Sequence, residues 1–449
     1  MQAKRRKERV RRLGVDLVGA AFLTLMLIAA CAPPVAQPAP VSEEAVTLRY
    51  WQYMTEHETQ ERAVIARFEE KYPNIKVNLE IIPDDTYFQK LNAEYVAGSP
   101  PDIFNGGAPD SGWPYWDKLL DLKPFIEANI NKDDYFYGFV DAQNLAGKYV
   151  GLPRNWVDLV MFYNKDLFDE AGIEYPNEHW TWEEDLLNAA KALTKDTDGD
   201  GNPDQWGFWT GPDVLNMDGY VYASGGAVLS EDKSRCLLDS PESIEAIQFL
   251  VDLVHKHKVA PGPTTGLYVT REQADPFQSG KLAMRVNGTW MLGQYAELAA
   301  GTVGFDWGIA PIPLSSKTGK RVVYGGADLL LINKATEHPD EAWKFIEFAT
   351  SAEAGADWYN VNPGHMPALK SIRDSEEWLA DKDPEKVAVI ESQVESIYNG
   401  DARPAWFEFL DAKNNELDPA FLGEESVEAA AAAACAAIQP ILDANPVPE

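Results

Sequence analysis

Histidine and cysteine are scarce in this chain of 449 residues, which has six of one and three of the other. The histidines (57, 179, 255, 257, 338, 365) are scattered, and only Cys236 and Cys435 lie beyond residue 31, so no stretch has zinc-ligand spacing. Catalytic signatures are missing too: no G-x-S-x-G elbow, no G-x-x-x-x-G-K-[ST], no G-x-G-x-x-G and no H-E-x-x-H. Positive charge is short, 39 Lys and Arg against 71 Asp and Glu. So acidic a surface repels phosphate backbones and anionic lipid, which excludes nucleic acid as a partner. It suits neutral or cationic small ligands and divalent cations.

Long hydrophobic runs are few. After the basic residues Lys4 to Arg12, an apolar run from Leu17 to Ala30 reads as a signal peptide over 1–30. It is about 14 residues, short of the roughly 20 a spanning helix needs. It ends at Ile28-Ala29-Ala30-Cys31, which resembles the bacterial lipobox, with Cys31 the acylated residue. The Pro/Ala-rich 31–45 then reads as an extended tether. Losing the leader takes seven bases and two acids and moves the formal charge from −32 to −37. No later apolar stretch is expected to span a bilayer. The protein is expected to be exported and lipid-anchored, facing the periplasm or exterior.

The remaining chain exceeds what one core usually supports, so two lobes are expected. "VTLRYWQY" and "NIKVNLEII" alternate as strands around the helical "ETQERAVIARFEEKY", whose Val64, Ile65 and Phe68 share a face. Strand–helix–strand implies parallel pairing with helices on the sheet faces, an α/β fold. The same grammar returns at "SPESIEAIQFLVDLVHKH", with Ser240 as N-cap, and at "HPDEAWKFIEFATS". Cys236 and Cys435, outside the cytoplasm, either pair or stay free; sequence does not decide their proximity.

The segments "TLRYWQYMTEHE", "AGSPPDIFNGG", "YVGLPRNWVDLVMFYNKDLFDEAGI", "TWEEDLLNAAKALT", "FQSGKLAMRVNGTWML", "DWGIAPIPL", "GGADLLLINKATEHPDEAWKFIEFATS" and "GHMPAL" follow in that order. Together they resemble the extracellular solute-binding proteins of ABC importers, in the sugar-binding branch that includes maltodextrin-binding proteins. The resemblance implies a type II periplasmic-binding-protein-like fold of two α/β lobes closing on a ligand. By analogy one lobe takes 45–152 and 311–350, the other 153–310 and 351–442, with 443–449 a flexible tail. It implies a monomer that hands its carbohydrate to ABC permease subunits and makes no bond.

Sugars present a C–H face and a hydroxyl rim, so their sites combine indole or phenol rings with Asp, Asn and Arg. Trp290 in "VNGTWML" matches the branch's stacking tryptophan. Trp51 ends the first strand. Asn155, Trp156 and Asp158 follow "GLP", with Val157 where the branch carries a sugar-binding glutamate, a departure that argues against maltodextrin itself. Asp110 and Trp113 lie just past Gly106, where the branch has another aromatic. Asp328 follows the Gly325-Gly326 turn, and Trp209, Trp358, Arg403 and Trp406 complete the candidates.

"DTDGDGNPD" sets Asp196, Asp198, Asp200 and Asp204 at EF-hand positions 1, 3, 5 and 9, with Gly201 at 6 and Asn202 at 7. Position 12 is Gly207, so the bidentate glutamate is absent. The bland alternative is an Asx-rich turn; a structural Ca²⁺ is the expectation preferred here. Three rivals stand beside the carbohydrate receptor. They are a receptor for a peptide, polyamine or glycerol phosphate, an exported two-carboxylate glycosidase, and a calcium-dependent surface module.

Overall fold

The computed structural model describes residues 45–107, 112–136, 138–262, 276–299, 304–380, 382–398 and 401–448. The expected leader, the tether up to Glu44, Cys31 and Asp110 lie outside the described residues.

β1 (Val46–Gln52) leads through α1 (Glu58–Lys71) to β2 (Ile75–Ile81), which pairs with it in parallel from Val46 opposite Ile75 to Gln52 opposite Ile81. α1 buries Val64, Ile65 and Phe68, the face its spacing predicts. After α2 (Asp84–Ala97), β3 (Ile103–Gly107) pairs β1 on its other side. The strands β4 (Leu152–Asn164), β5 (Trp206–Phe208), β6 (Leu282–Gly288), β7 (Trp307–Ala310), β8 (Val323–Ile332), β9 (Met366–Pro367) and β10 (Ile397–Tyr398) complete the main sheet. Its path runs β2-β1-β3-β8-β4-β6-β5, with β7 and β9 on β4 and β10 on β8.

Two of these strands are too long for one lobe and pass between both. In β4, Leu152 to Asp158 pairs antiparallel with β8, and Leu159 to Tyr163 pairs with β6. In β8, Asp328 to Ile332 pairs β3 while Val323–Tyr324 pairs β10. Strand alternation sends Trp156, Val160 and Phe162 into one apolar cluster and Leu159, Met161 and Tyr163 into another. The first cluster fills the lobe built on β1–β3 and continues onto one face of the second lobe. The second covers the other face, under α3 (Pro241–His255), α5 (Trp406–Leu422) and α6 (Val427–Ala444). At the crossing the strands meet closely: a Cβ on Gly325 would lie 2.6 Å from the Val157 carbonyl oxygen, so only glycine fits.

This register moves the expected lobe boundaries. The run 311–322 stays with the second lobe, where Trp182 N–H donates to the Leu314 carbonyl at 2.9 Å and Ser315 Oγ to Glu183 at 3.1 Å. The crossing therefore falls near Gly325, inside β8. Conversely, the chain after α4 (Pro339–Ala349) remains with the first lobe to about Arg373. Asp357 pairs with Arg67 at 3.0 Å, and Phe136 N–H donates to Ala368 at 3.0 Å. Likewise 443–449 is not a loose tail over its described part. α6 runs to Ala444, the Asn445 carbonyl accepts from Arg403 Nη2 at 2.9 Å, and Val447 packs on the first cluster.

Cys236 and Cys435 form a disulfide, Cα to Cα 5.2 Å, tying α6 to the loop before α3. α6 is also long and apolar enough to cross a membrane, contrary to the expectation that no later stretch would be. Its Val427, Ala430, Ala431, Ala434, Ile438 and Leu442 are buried in the second cluster, which accounts for that hydropathy.

Candidate functional site

Asp328 sits where three strands meet: β8 holds it opposite Gly107 of β3 and Asn155 of β4, at a shift in register between Asp328 and Leu329. Its Oδ2 accepts from Asn155 Nδ2 at 2.7 Å and its Oδ1 from the Tyr53 hydroxyl at 3.3 Å. Asn155 is fully buried, whereas Asp328 and Tyr53 are only partly so. An oriented, accessible carboxylate of this kind can accept a hydroxyl in a fixed direction. Asn155 therefore aims Asp328 from beneath. Val157, partly exposed and two residues along β4, shares its side of the sheet.

Trp290 follows the end of β6 by two residues. A Cβ on Gly288 would lie 2.2 Å from three atoms of the indole, so the ring lies across a residue with no side chain. Trp290 leans on the second cluster yet stays partly exposed, and its carbonyl accepts from Asn362 Nδ2 at 2.8 Å. Gly288 opposes Leu159 on β4, four residues from Asn155. At strand rise that separation is about 13 Å. An indole and a carboxylate thus border the same inter-lobe boundary.

Across that boundary Phe88 of α2, packed on the first cluster, meets Phe407 of α5, packed on the second, with ring centroids 5.2 Å apart. The sequence reading missed Tyr53, Phe88 and Phe407. Tyr53 lies two residues after Trp51, and Phe407 follows Trp406. In each case the tryptophan drew attention while the neighbouring ring is the more exposed one.

The remaining candidates among the described residues are packed away from solvent. Trp51, 1% exposed, is in the first-lobe core with Lys90 Nζ 4.9 Å above its ring. Trp113, at 8%, also belongs to that core. Trp156, fully buried, packs on Phe139 because alternation turns it away from Asn155. Asp158 faces inward for the same reason, accepting from Gln393 Nε2 at 2.9 Å, and burial pushes its carboxyl well above the usual range. Trp209 lies under the Arg285 guanidinium, 5.2 Å away. Arg403 is buried, its Nη1 donating to the Lys233 carbonyl at 2.8 Å, and Trp406 stacks on Phe409 in the second cluster. These groups brace the walls.

Trp358 is fully buried behind the crossing, 3.9 Å from the Arg154 guanidinium and stacked on His57 at 4.2 Å. His57 and His365 share a hydrogen at 3.1 Å between ring nitrogens. Burial first, then the Arg154 charge, pushes His57 down to about 3; burial and His57 hold His365 well below its usual value. The unfolded chain therefore binds more protons below about pH 6.5, so stability is complete above that value and is lost as pH falls towards 3. The double variant H57F/H365L should flatten the pH dependence of urea stability between pH 6.5 and 4. An unchanged slope would show that other groups set the acid limb.

In the aspartate loop, carboxylate oxygens of Asp196, Asp198 and Asp204 lie within 4.8 Å of one another. Asp196 also accepts from Gly199 and Gly201 N–H at 2.7 and 2.8 Å, which folds the loop around it. Asp200 is outside that group of carboxylates; it accepts from the Asn202 N–H at 2.8 Å, as an Asx turn. Three of the four expected carboxylates thus converge.

A putative binding protein of Brucella abortus is 27% identical over 390 residues, 84% of this chain and 88% of that protein. The arabinooligosaccharide-binding protein of Halalkalibacterium halodurans is 26% identical over 359 residues, 76% of this chain and 75% of its own length. In structure, an ABC substrate-binding protein of Listeria monocytogenes, solved with cycloalternan, superposes with a TM-score of 0.76 at 25% identity, covering 89% of this chain and all of that one. These relatives and this neighbour are binding proteins, not enzymes. Residues 51–356, from β1 past α4, match bacterial extracellular solute-binding proteins, and the chain belongs to that family.

Proposed function

We propose that this protein captures a neutral carbohydrate, an oligosaccharide, between its lobes and delivers it to the transmembrane subunits of an ABC importer. The observation that carries the reading is the pairing of a flat, partly open indole, Trp290 on Gly288, with the oriented Asp328 carboxylate at the same lobe boundary. The indole covers a C–H face and the carboxylate takes hydroxyls in plane. The arabinooligosaccharide-binding relative and the cycloalternan-bound neighbour support the ligand class. Closure is driven because a ligand touching both lobes gains contacts only in the closed state. The protein acts as a monomer, held at the membrane through a lipid on Cys31 after the leader is removed.

The aspartate loop holds Ca²⁺ in this reading. Asp196, Asp198 and Asp204 supply hard oxygen ligands, and the ion offsets the mutual repulsion of carboxylates and braces a second-lobe loop.

A thermal-shift screen over mono- and oligosaccharides, with Ca²⁺ or EDTA, tests both. A carbohydrate at 100 times its Kd stabilises by about 2.7 kcal/mol. Ca²⁺ should raise the melting temperature without any sugar, and D196N should remove that increment. A response to amino acids or polyamines but to no carbohydrate would refute the ligand class; equal melting in Ca²⁺ and EDTA would refute the ion.

A further inference from the structure

Gln393 follows the helix Pro384–Ser392 and is fully buried. It has no charge and no cleft exposure, and its side chain makes three hydrogen bonds to residues distant in sequence. Nε2 donates to Asp158 Oδ2 at 2.9 Å and to the Leu159 carbonyl at 2.6 Å. Oε1 accepts from the Ile312 N–H at 3.0 Å.

The positions of those partners matter more than their number. Asp158 and Leu159 are the residues at which β4 changes partner from β8 to β6, the point where the chain leaves the first lobe. Ile312 lies in the run from β7 to β8, which stays with the second lobe until the chain crosses back near Gly325. Gln393 itself is on the third passage, between Ala368, bonded to Arg154 in the first lobe, and Ile397–Tyr398, paired to β8 at its second-lobe end. One amide on the third passage therefore ties the first passage, at Asp158 and Leu159, to the second-lobe run at Ile312.

We propose that Gln393 is a positioning residue of the hinge: without touching ligand, it fixes the angle at which the lobes stand and so the fraction of molecules able to close. The physical basis is the cost of breaking it. Any rotation that separates Asp158 of β4 from the third passage leaves a buried amide or carboxyl group unpaired, and such a group in a dry site is expensive. Asp158 adds to this, because burial without a cation favours its neutral form and makes the Gln393 donor its anchor. The rotation axis is thereby confined to arrangements that keep three bonds intact.

The test needs no ligand, so it can fail independently of the carbohydrate reading. Non-cysteine spectroscopic labels are placed at Val96, 90% exposed in the first lobe, and at the exposed His179 in the second. Their distance distribution is measured in the ligand-free full chain. Q393L should broaden the distribution and move its mean to longer distance. Q393M, which keeps the side-chain length and loses the amide, should do the same. A residue with only a packing role would lower the melting temperature and leave the distribution unchanged. That result overturns the proposal; if Q393L does not fold, the Q393M comparison decides alone.

Discussion

Replacing Arg154 by methionine will destabilise the fold by about 3–5 kcal/mol, the usual cost of stranding one member of a buried ion pair. Arg154 Nη1 donates to both oxygens of Glu61, at 2.7 and 2.8 Å, and both side chains are sealed from solvent. Glu61 also accepts from the Tyr50 hydroxyl, and Trp358 lies flat against the guanidinium. The methionine keeps much of the volume but leaves a buried carboxylate with no cation. That carboxylate must take up a proton or admit water. In a thermal melt of a chain this long the loss corresponds to roughly 5 °C. The double variant R154M/E61L removes both charges and should recover much of the loss, since the pair as a whole contributes little over an apolar replacement. A single variant costing under about 1 kcal/mol would mean that the pair is hydrated in solution and that the core behind the crossing is looser than its burial indicates.

Trp290→Ala will weaken carbohydrate binding by roughly 30- to 150-fold, about 2–3 kcal/mol, the range of a central aromatic anchor. The loss comes from the platform, not from the fold, because Trp290 only leans on the second cluster and its strand neighbours remain paired. Two companions separate stacking from bulk. W290F keeps a smaller flat face and should retain part of the affinity. Gly288→Ala keeps the indole but places a methyl 2.2 Å from ring atoms, displacing it. It should weaken binding nearly as much as W290A does. Titration calorimetry with the best sugar from the screen reads all three. Affinities within three-fold of wild type for both W290A and G288A would show that the sugar rests elsewhere, and the assignment of this boundary as the cleft would fall with them.

Period-2 and period-3.6 patterns already place β1, α1, β2, α3 and α4, because each buries one face and its apolar spacing reports that face. Composition and ordered motifs indicate the two-lobed solute-binding class, and charge alone disfavours nucleic acid. Which aromatics are wall and which are site was not legible in this way. Trp156 and Asp158 differ from Asn155 by odd steps along one strand, so a single alternation turns two candidates inward and leaves the third to aim Asp328. The register of β8 against β3 and β4 moved the lobe boundaries by more than ten residues, since strand pairing and not local sequence fixes where a chain changes lobe. Gln393 shows the same division most plainly: nothing around it in the sequence marks it, and its importance exists only because folding brings Asp158, Leu159 and Ile312 to within one side chain's reach.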